Sequence, residues 1–294
     1  MKSLKYIDNS KFYRELPVGT VTDSTRLINN NGVYYIEFVP FDKFPWVKSA
    51  FSTRLGGVSN GIYSSMNFSF DRGDDRNNVL KNFDLFTNAI DITKDKCVCS
   101  KQTHTTNVMR VDCSHLGMGI TKERNFDNID GLMTNESGVC LVTSFADCIP
   151  LIFIDPVNRA VASSHSGWRG TVNNITANTL ELMAKEFNTR PEDVSTFIGP
   201  GICMDCYEVS EDVAIEFSNA YSSHEIDHIL SKKNDDKYLL NLPMANYFNM
   251  LNSGIKAENI NISDICTCCN SDILFSHRAS MGKRGVLCNF IYIK

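Results

Sequence analysis

Apolar residues along this chain follow two rhythms. Five stretches, 33–39, 139–143, 151–154, 159–163 and 286–293, are rich in β-branched, aromatic and aliphatic residues. Runs of that length and type predict strands. Several are nearly all apolar, which predicts burial on both faces. Four other segments repeat at helical spacing. Residues 77–90 place Val79, Leu80, Phe83, Phe86 and Ile90 on one face, and 171–187 does the same with Val172, Ile175, Thr179, Leu182 and Met183. Segment 210–221 opens with Ser210 as a cap and Glu211 and Asp212 in the first turn, where the helix dipole favours negative charge. Segment 241–253 has Asn241 as its cap, Pro243 in its first turn and Gly254 just past its end. The polar stretch 222–237 reads as an exposed insertion. No repeat or domain boundary stands out, so the expectation is a single α+β domain over residues 1–294, with mixed sheets and helices on the outside.

Composition narrows the function classes. The chain has 294 residues, 43% hydrophobic and 21% charged, which is too apolar for disorder. A net charge of −5 argues against a nucleic-acid wrapper, which needs a basic face to release counterions. The longest apolar run, Ile149 to Ile154, falls far short of the ~20 residues of a membrane span. The opening residues contain no apolar leader, and the eleven cysteines are odd in number. Together these point to a reducing, cytoplasmic setting with free thiols or metal ligands.

Reactive side chains concentrate between Gln102 and Gly170, at strand ends beside glycine, where sheets present functional loops. His104, Cys148 and His165 lie in three such turns. Two imidazoles and one thiolate make a three-ligand zinc shell with a fourth position open to water or substrate. The same atoms also fit a metal-free thiolate–imidazole pair, Cys148 with His165. Copper is the poorer reading. A blue-copper site wants a weak axial ligand such as methionine, and a multicopper cluster needs more imidazoles than six histidines supply. Arg54 and Arg169, both next to glycine, suit an oxyanion through the guanidinium fork. Two C-x-x-C pairs, Cys203/Cys206 and Cys266/Cys269, raise a second, structural zinc. Their separation of about sixty residues exceeds a usual zinc-ribbon loop, so buried thiols are the preferred reading. Cys97, Cys99, Cys113, Cys140 and Cys288 read as small hydrophobes.

The blocks FSTRLGGVSNGIYSSMNFSF, GDD, QTH, DGLMT, ADCIP, HSGWRG, IGPGIC with CYEV, and CTCCNSDILFSHR occur in that order from Phe51 onward. Together they resemble the YfiH-like family, also called the laccase-domain or multicopper polyphenol oxidase family, whose members are described as purine nucleoside phosphorylases. The resemblance implies a sandwich-like β core flanked by helices. It also implies one zinc on His104, Cys148 and His165, and phosphorolysis of adenosine, inosine and methylthioadenosine with deamination of adenosine. The implied partners are thus a small-molecule nucleoside and phosphate, with no nucleic acid or membrane. Some bacterial relatives are linked instead to peptidoglycan-precursor editing, which keeps a cysteine-type amidase as the alternative; a non-catalytic interaction protein is a third. For the nucleoside reaction, Asp147 is the candidate acid–base group. Arg54 and Arg169, with Arg278, are the candidates for phosphate, and Asn67 and Gln102 for ribose or base edges. Two departures, Phe70-Asp71-Arg72 before GDD and His277 before Arg278, bear on substrate preference.

Overall fold

The computed structural model describes residues 22–294 and the backbone of two antiparallel strands, Ser3–Ile7 and Tyr13–Pro17. The opening stretch, expected to carry no leader, falls largely outside the described residues. Two six-stranded sheets form the centre. In spatial order the first runs Thr25–Asn30, Val33–Phe38, Val47–Ser52, Leu287–Ile293, Cys140–Phe145 and Cys97–Cys99. The second runs Ile260–Ile262, Ser195–Ile198, Ile149–Asp155, Ala160–Ser166, Gly131–Thr134 and Val108–Arg110. Pairing is mostly antiparallel, with parallel exceptions such as Cys97–Cys99 against Cys140–Phe145.

Alternation along each strand builds the layers. Leu141, Ile152, Ile154, Phe197 and Ile291 point between the sheets into one apolar cluster. Their neighbours Leu151 and Phe153 face outward, onto helices Ile175–Phe187 and Leu242–Asn252. On the other side, Val142 and Phe290 meet Phe83 and Phe86 of helix Arg76–Ala89. The result is a helix–sheet–sheet–helix stack. It explains why strands such as Ile149–Asp155 are buried on both faces and apolar throughout. Each large side chain fully buried in these layers contributes ~1.5–3 kcal/mol.

The mixed α+β architecture and the peripheral helices match the sequence reading, with one boundary corrected. The helix expected over 171–187 is two helices, Trp168–Val172 and Ile175–Phe187. Asn174 interrupts them with φ 53°, and its side chain accepts from the Ala177 amide at 3.1 Å as a cap. Segment 222–237 contains helix Ser223–Ile229, opened by a Ser222–Glu225 capping box, and strand Leu230–Asn234, which pairs with Lys237–Leu240. Among the described residues, no helix is long and apolar enough to cross a membrane.

Candidate metal centre and cleft

Two connections cross from the first sheet to the second at one end of the sandwich. The turn after Cys140–Phe145 carries Asp147 and Cys148 into strand Ile149–Asp155. The segment after Cys97–Cys99 carries His104 toward Val108–Arg110. His165 sits near the end of Ala160–Ser166, opposite Pro150 in the ladder. The crossings bring the three predicted ligands together: one donor atom from each of His104, Cys148 and His165 lies within 4.8 Å of the others. The imidazole centroids are 4.9 Å apart at 82°.

Asp130, fully buried, organises this trio. Its carboxylate accepts from the amides of Thr103, His104 and Thr105 at 2.9–3.0 Å, and from the Thr105 hydroxyl at 2.9 Å. Those bonds hold the loop on which His104 adopts φ 64°. The same carboxylate meets His165 Nδ1 at 2.9 Å, and the Asp130 carbonyl accepts from the His165 amide at 2.8 Å. With Nδ1–H committed to Asp130, Nε2 is the His165 nitrogen left to act as a ligand. Burial alone would push the Asp130 carboxyl up, but His165 and the Thr103 and Thr105 amides outweigh it and hold it at about 2. Sequence reasoning missed Asp130 as a site residue. Its available signal was the Asp-Gly at the start of strand Gly131–Thr134, within a block already singled out.

Charge in the trio is self-consistent. Burial pushes the Cys148 thiol up, yet the His165 charge and hydrogen bonds from His104 and His165 bring it down to about 6. Burial pushes His165 down, yet Cys148 and Asp130 raise it to about 9. A thiolate beside imidazole suits both metal ligation and nucleophilic chemistry. Gly167 keeps one side of the trio open: a Cβ there would stand 3.1 Å from both Cys148 Sγ and His104 Cδ2. Its turn is fixed from beneath by the buried Ser166, Thr171 and Asn246 side chains, with Ser166 Oγ donating to Asn246 Oδ1 at 2.8 Å.

The trio lies in a cleft of about 1360 Å³. Six cations line it (Arg72, Arg76, Lys101, Lys122, Arg124 and Arg284) against three acids, Asp71, Glu123 and Asp127. An acidic protein thus carries a locally positive cleft, which attracts anions. Arg284 is half-buried, and its Nε has no hydrogen-bond partner among the described residues. Burial, with Arg72 second, lowers its pKa to about 10. An oxyanion in the cleft would offset the repulsion between these two like charges. Its sequence signal is the one used for Arg54 and Arg169, an arginine beside glycine: Gly282 and Gly285 flank Arg284 closely.

The remaining predicted residues lie as follows. Gln102 lines the cleft, but its amide is paired to the Ser144 backbone, Nε2 to O at 2.8 Å and Oε1 from N at 2.7 Å. Asn67 is fully buried and holds Asp74 Oδ2 at 2.8 Å and the Val286 amide at 2.9 Å. Asp147 is buried at φ 87°, with one oxygen accepting from the Thr267 hydroxyl at 2.6 Å and the other from the Arg278 amide at 2.7 Å. Arg54 lies beside the cleft. It donates to the Ser64 and Ser271 carbonyls at 2.8 Å and stacks 4.6 Å over Phe275. Arg169 is exposed and stacks 4.3 Å over Trp168. Arg278 is exposed and donates to the Glu208 carbonyl at 2.9 Å. Neither Asp147, Asn67, Arg54, Arg169 nor Arg278 lines the cleft. Of the cysteines read as small hydrophobes, Cys113 is exposed and the other four are buried.

Known proteins extend this picture. Residues 48–294 match the family model described as multi-copper polyphenol oxidoreductase laccase. A protein of Bacteroides thetaiotaomicron named purine nucleoside phosphorylase is 34% identical over 82% of this chain and 90% of its own length. A protein of an unknown prokaryote named adenosine deaminase RL5 is 30% identical over 82% of this chain and 94% of its own. The crystal structure of YlmD from Geobacillus stearothermophilus superposes with a TM-score of 0.84 at 28% identity, covering 91% of this chain and 98% of that one. YfiH of Bacillus licheniformis gives a TM-score of 0.85 at 27% identity, over 91% and 99%. These relatives support a nucleoside-processing enzyme. With the family model spanning most of its length, the chain belongs to the laccase-like YfiH family.

Proposed function

We propose that this protein is a zinc-dependent purine nucleoside phosphorylase that also deaminates adenosine. The observation that carries the reading is the convergence of His104, Cys148 and His165 on the lining of a cationic cleft. The donor set fits zinc: two imidazoles and a thiol of lowered pKa, with Asp130 fixing one imidazole from behind. Copper of the blue type fits less well, because among the described residues no methionine lines the cleft to serve as an axial ligand. When bound, zinc supplies a Lewis acid with one position open to substrate or water.

The chain's own residues do the rest. Arg284 and Arg72, both lining the cleft, hold phosphate through their guanidinium groups. Phe126 and Tyr63 offer aromatic surface in the same cleft for a purine. In phosphorolysis an oxygen of hydrogen phosphate attacks the anomeric carbon, the bond to the base breaks, and the base leaves with the proton that the phosphate gives up. Asp147 supports these steps from behind, orienting the Cys148 turn through Thr267 and the Arg278 amide. The proposed substrates are those the family resemblance implies, adenosine, inosine and methylthioadenosine, and the proposed setting is cytoplasmic.

A cysteine-type amidase is the second reading, favoured by one observation: Cys148 Sγ stands beside the buried His165 imidazole, the neighbour that holds the thiol pKa down. Incubation with adenosine, with and without phosphate, separates the readings. Adenine released only with phosphate, and inosine formed in either case, are expected. Neither product, or an amidase activity that survives a chelator and dies on alkylation, would sink the nucleoside reading.

A further inference from the structure

Four cysteines outside the cleft form a second cluster. Cys203, Cys206, Cys266 and Cys269 place their sulfurs within 4.8 Å of one another. Cys206 and Cys269 Sγ are 3.4 Å apart, and Cys203 and Cys269 Sγ 3.9 Å. The long sequence separation is bridged by backbone: Gly201 pairs with Cys266 in a parallel bridge, and the Thr267 amide donates to the Gly201 carbonyl at 3.0 Å. Gly201 also lets the first segment lie against the Cys148 turn, since a Cβ there would stand 2.3 Å from Ile149 Cδ1 and 3.1 Å from the Asp147 carbonyl oxygen.

The geometry differs from that of thiols used as packing. Cys97, Cys99, Cys140 and Cys288 lie within the apolar layer between the first sheet and helix Arg76–Ala89. None of the four clustered cysteines belongs to the apolar clusters among the described residues, and Cys206 and Cys269 are partly exposed. Four sulfurs around a tetrahedral ion at a Zn–S distance of about 2.3 Å stand about 3.8 Å apart. The Cys206–Cys269 and Cys203–Cys269 separations straddle that value. Two amides point at one sulfur: Cys203 N lies 3.2 Å and Cys269 N 3.5 Å from Cys266 Sγ. Amides so placed stabilise a thiolate.

We propose that Cys203, Cys206, Cys266 and Cys269 bind a structural zinc ion, closed by four thiolates and distinct from the cleft centre. A bound cation deprotonates its thiol ligands. The ion joins two segments that both hold the Cys148 turn. From the first, the Ile202 amide donates to the Asp147 carbonyl at 2.9 Å. From the second, the Thr267 hydroxyl donates to the Asp147 carboxylate. The four-thiolate ion therefore braces the left-handed residue that precedes Cys148.

The test uses the full chain purified under reducing conditions without chelator. Zinc per chain is counted by elemental mass spectrometry, and its neighbours are read by X-ray absorption. Cys148→Ala should retain one zinc, surrounded by four sulfurs at about 2.3 Å. Cys203→Ser with Cys206→Ser should lose that sulfur-only signal and melt at a lower temperature. Cys113→Ser, at an exposed cysteine, should leave the zinc count unchanged. If the double variant does not fold, the Cys148→Ala spectrum decides alone. Four results would overturn the proposal: no zinc in Cys148→Ala, a shell containing nitrogen or oxygen, iron in place of zinc, or a Cys206–Cys269 disulfide in the reduced preparation. None of them depends on the reaction in the cleft.

Discussion

Among the described residues, two histidine–aspartate pairs share the same atoms at the same distance. His165 Nδ1 meets Asp130 Oδ1 at 2.9 Å, and His115 Nδ1 meets Asp112 Oδ1 at 2.9 Å. Both carboxyls are held at about 2. Their surroundings separate them. Asp130 is fully buried and gathers amides from a loop that carries another candidate ligand. Asp112 caps a three-residue 3₁₀ turn at the surface, Cys113–His115, and its low pKa comes first from the Ser114 hydroxyl. The pairwise contact is therefore uninformative about function. Convergence of separate segments on a buried partner is what marks the first pair.

The strongest way to break this distinction is Asp130→Asn. An amide cannot accept from three backbone N–H groups and His165 at once, so His104 and His165 both lose their orientation. Zinc affinity at the cleft centre, read by chelator competition, should fall ~10–100-fold, with activity falling alongside. Unchanged affinity would reduce Asp130 to a second Asp112.

The arginines sharpen the same point at a smaller scale. Arg169 and Arg284 both neighbour glycine in sequence, yet Arg284 sits half-buried in the cleft and Arg169 lies flat on Trp168 at the surface. A charge-assisted hydrogen bond is worth ~1.5–3 kcal/mol, so Arg284→Met should raise KM for phosphate ~10–100-fold while zinc stays bound. Arg169→Ala should change it less than about twofold. Equal effects would move the phosphate site out of the cleft.

What could be read from the sequence follows from how local each signal is. Strands such as Ile149–Asp155 were legible because burial on both faces leaves an unbroken apolar run. The His104, Cys148 and His165 turns are legible as separate loops at strand ends. Their meeting was not, because it depends on two crossings between sheets. Asp130 stood in view beside Gly131, but its role lies in what reaches it from residues 103–105 and 165. The break before Ile175 was hidden because Asn174 caps through a left-handed backbone that periodicity does not encode. The two C-x-x-C pairs stand about sixty residues apart, beyond a usual zinc-ribbon loop; a single backbone bridge at Gly201 and Cys266 closes that distance.

The surface pair supplies the smallest and most specific contrast. Asp112→Asn removes a charged cap from an exposed turn, so its cost should stay below about 1 kcal/mol after solvent screening. The sign with pH is set by the direction of the shift. The folded carboxyl lies at about 2, below its ordinary 3.8, so the charged form is the one the fold favours. Its stabilisation is therefore complete above about pH 4 and is lost as pH falls through 2. The melting-temperature gap between wild type and Asp112→Asn should shrink over that interval, while zinc content and turnover at neutral pH stay those of the wild type. A loss of zinc in this variant would mean that the exposed pair communicates with the cleft, and burial would no longer separate the two.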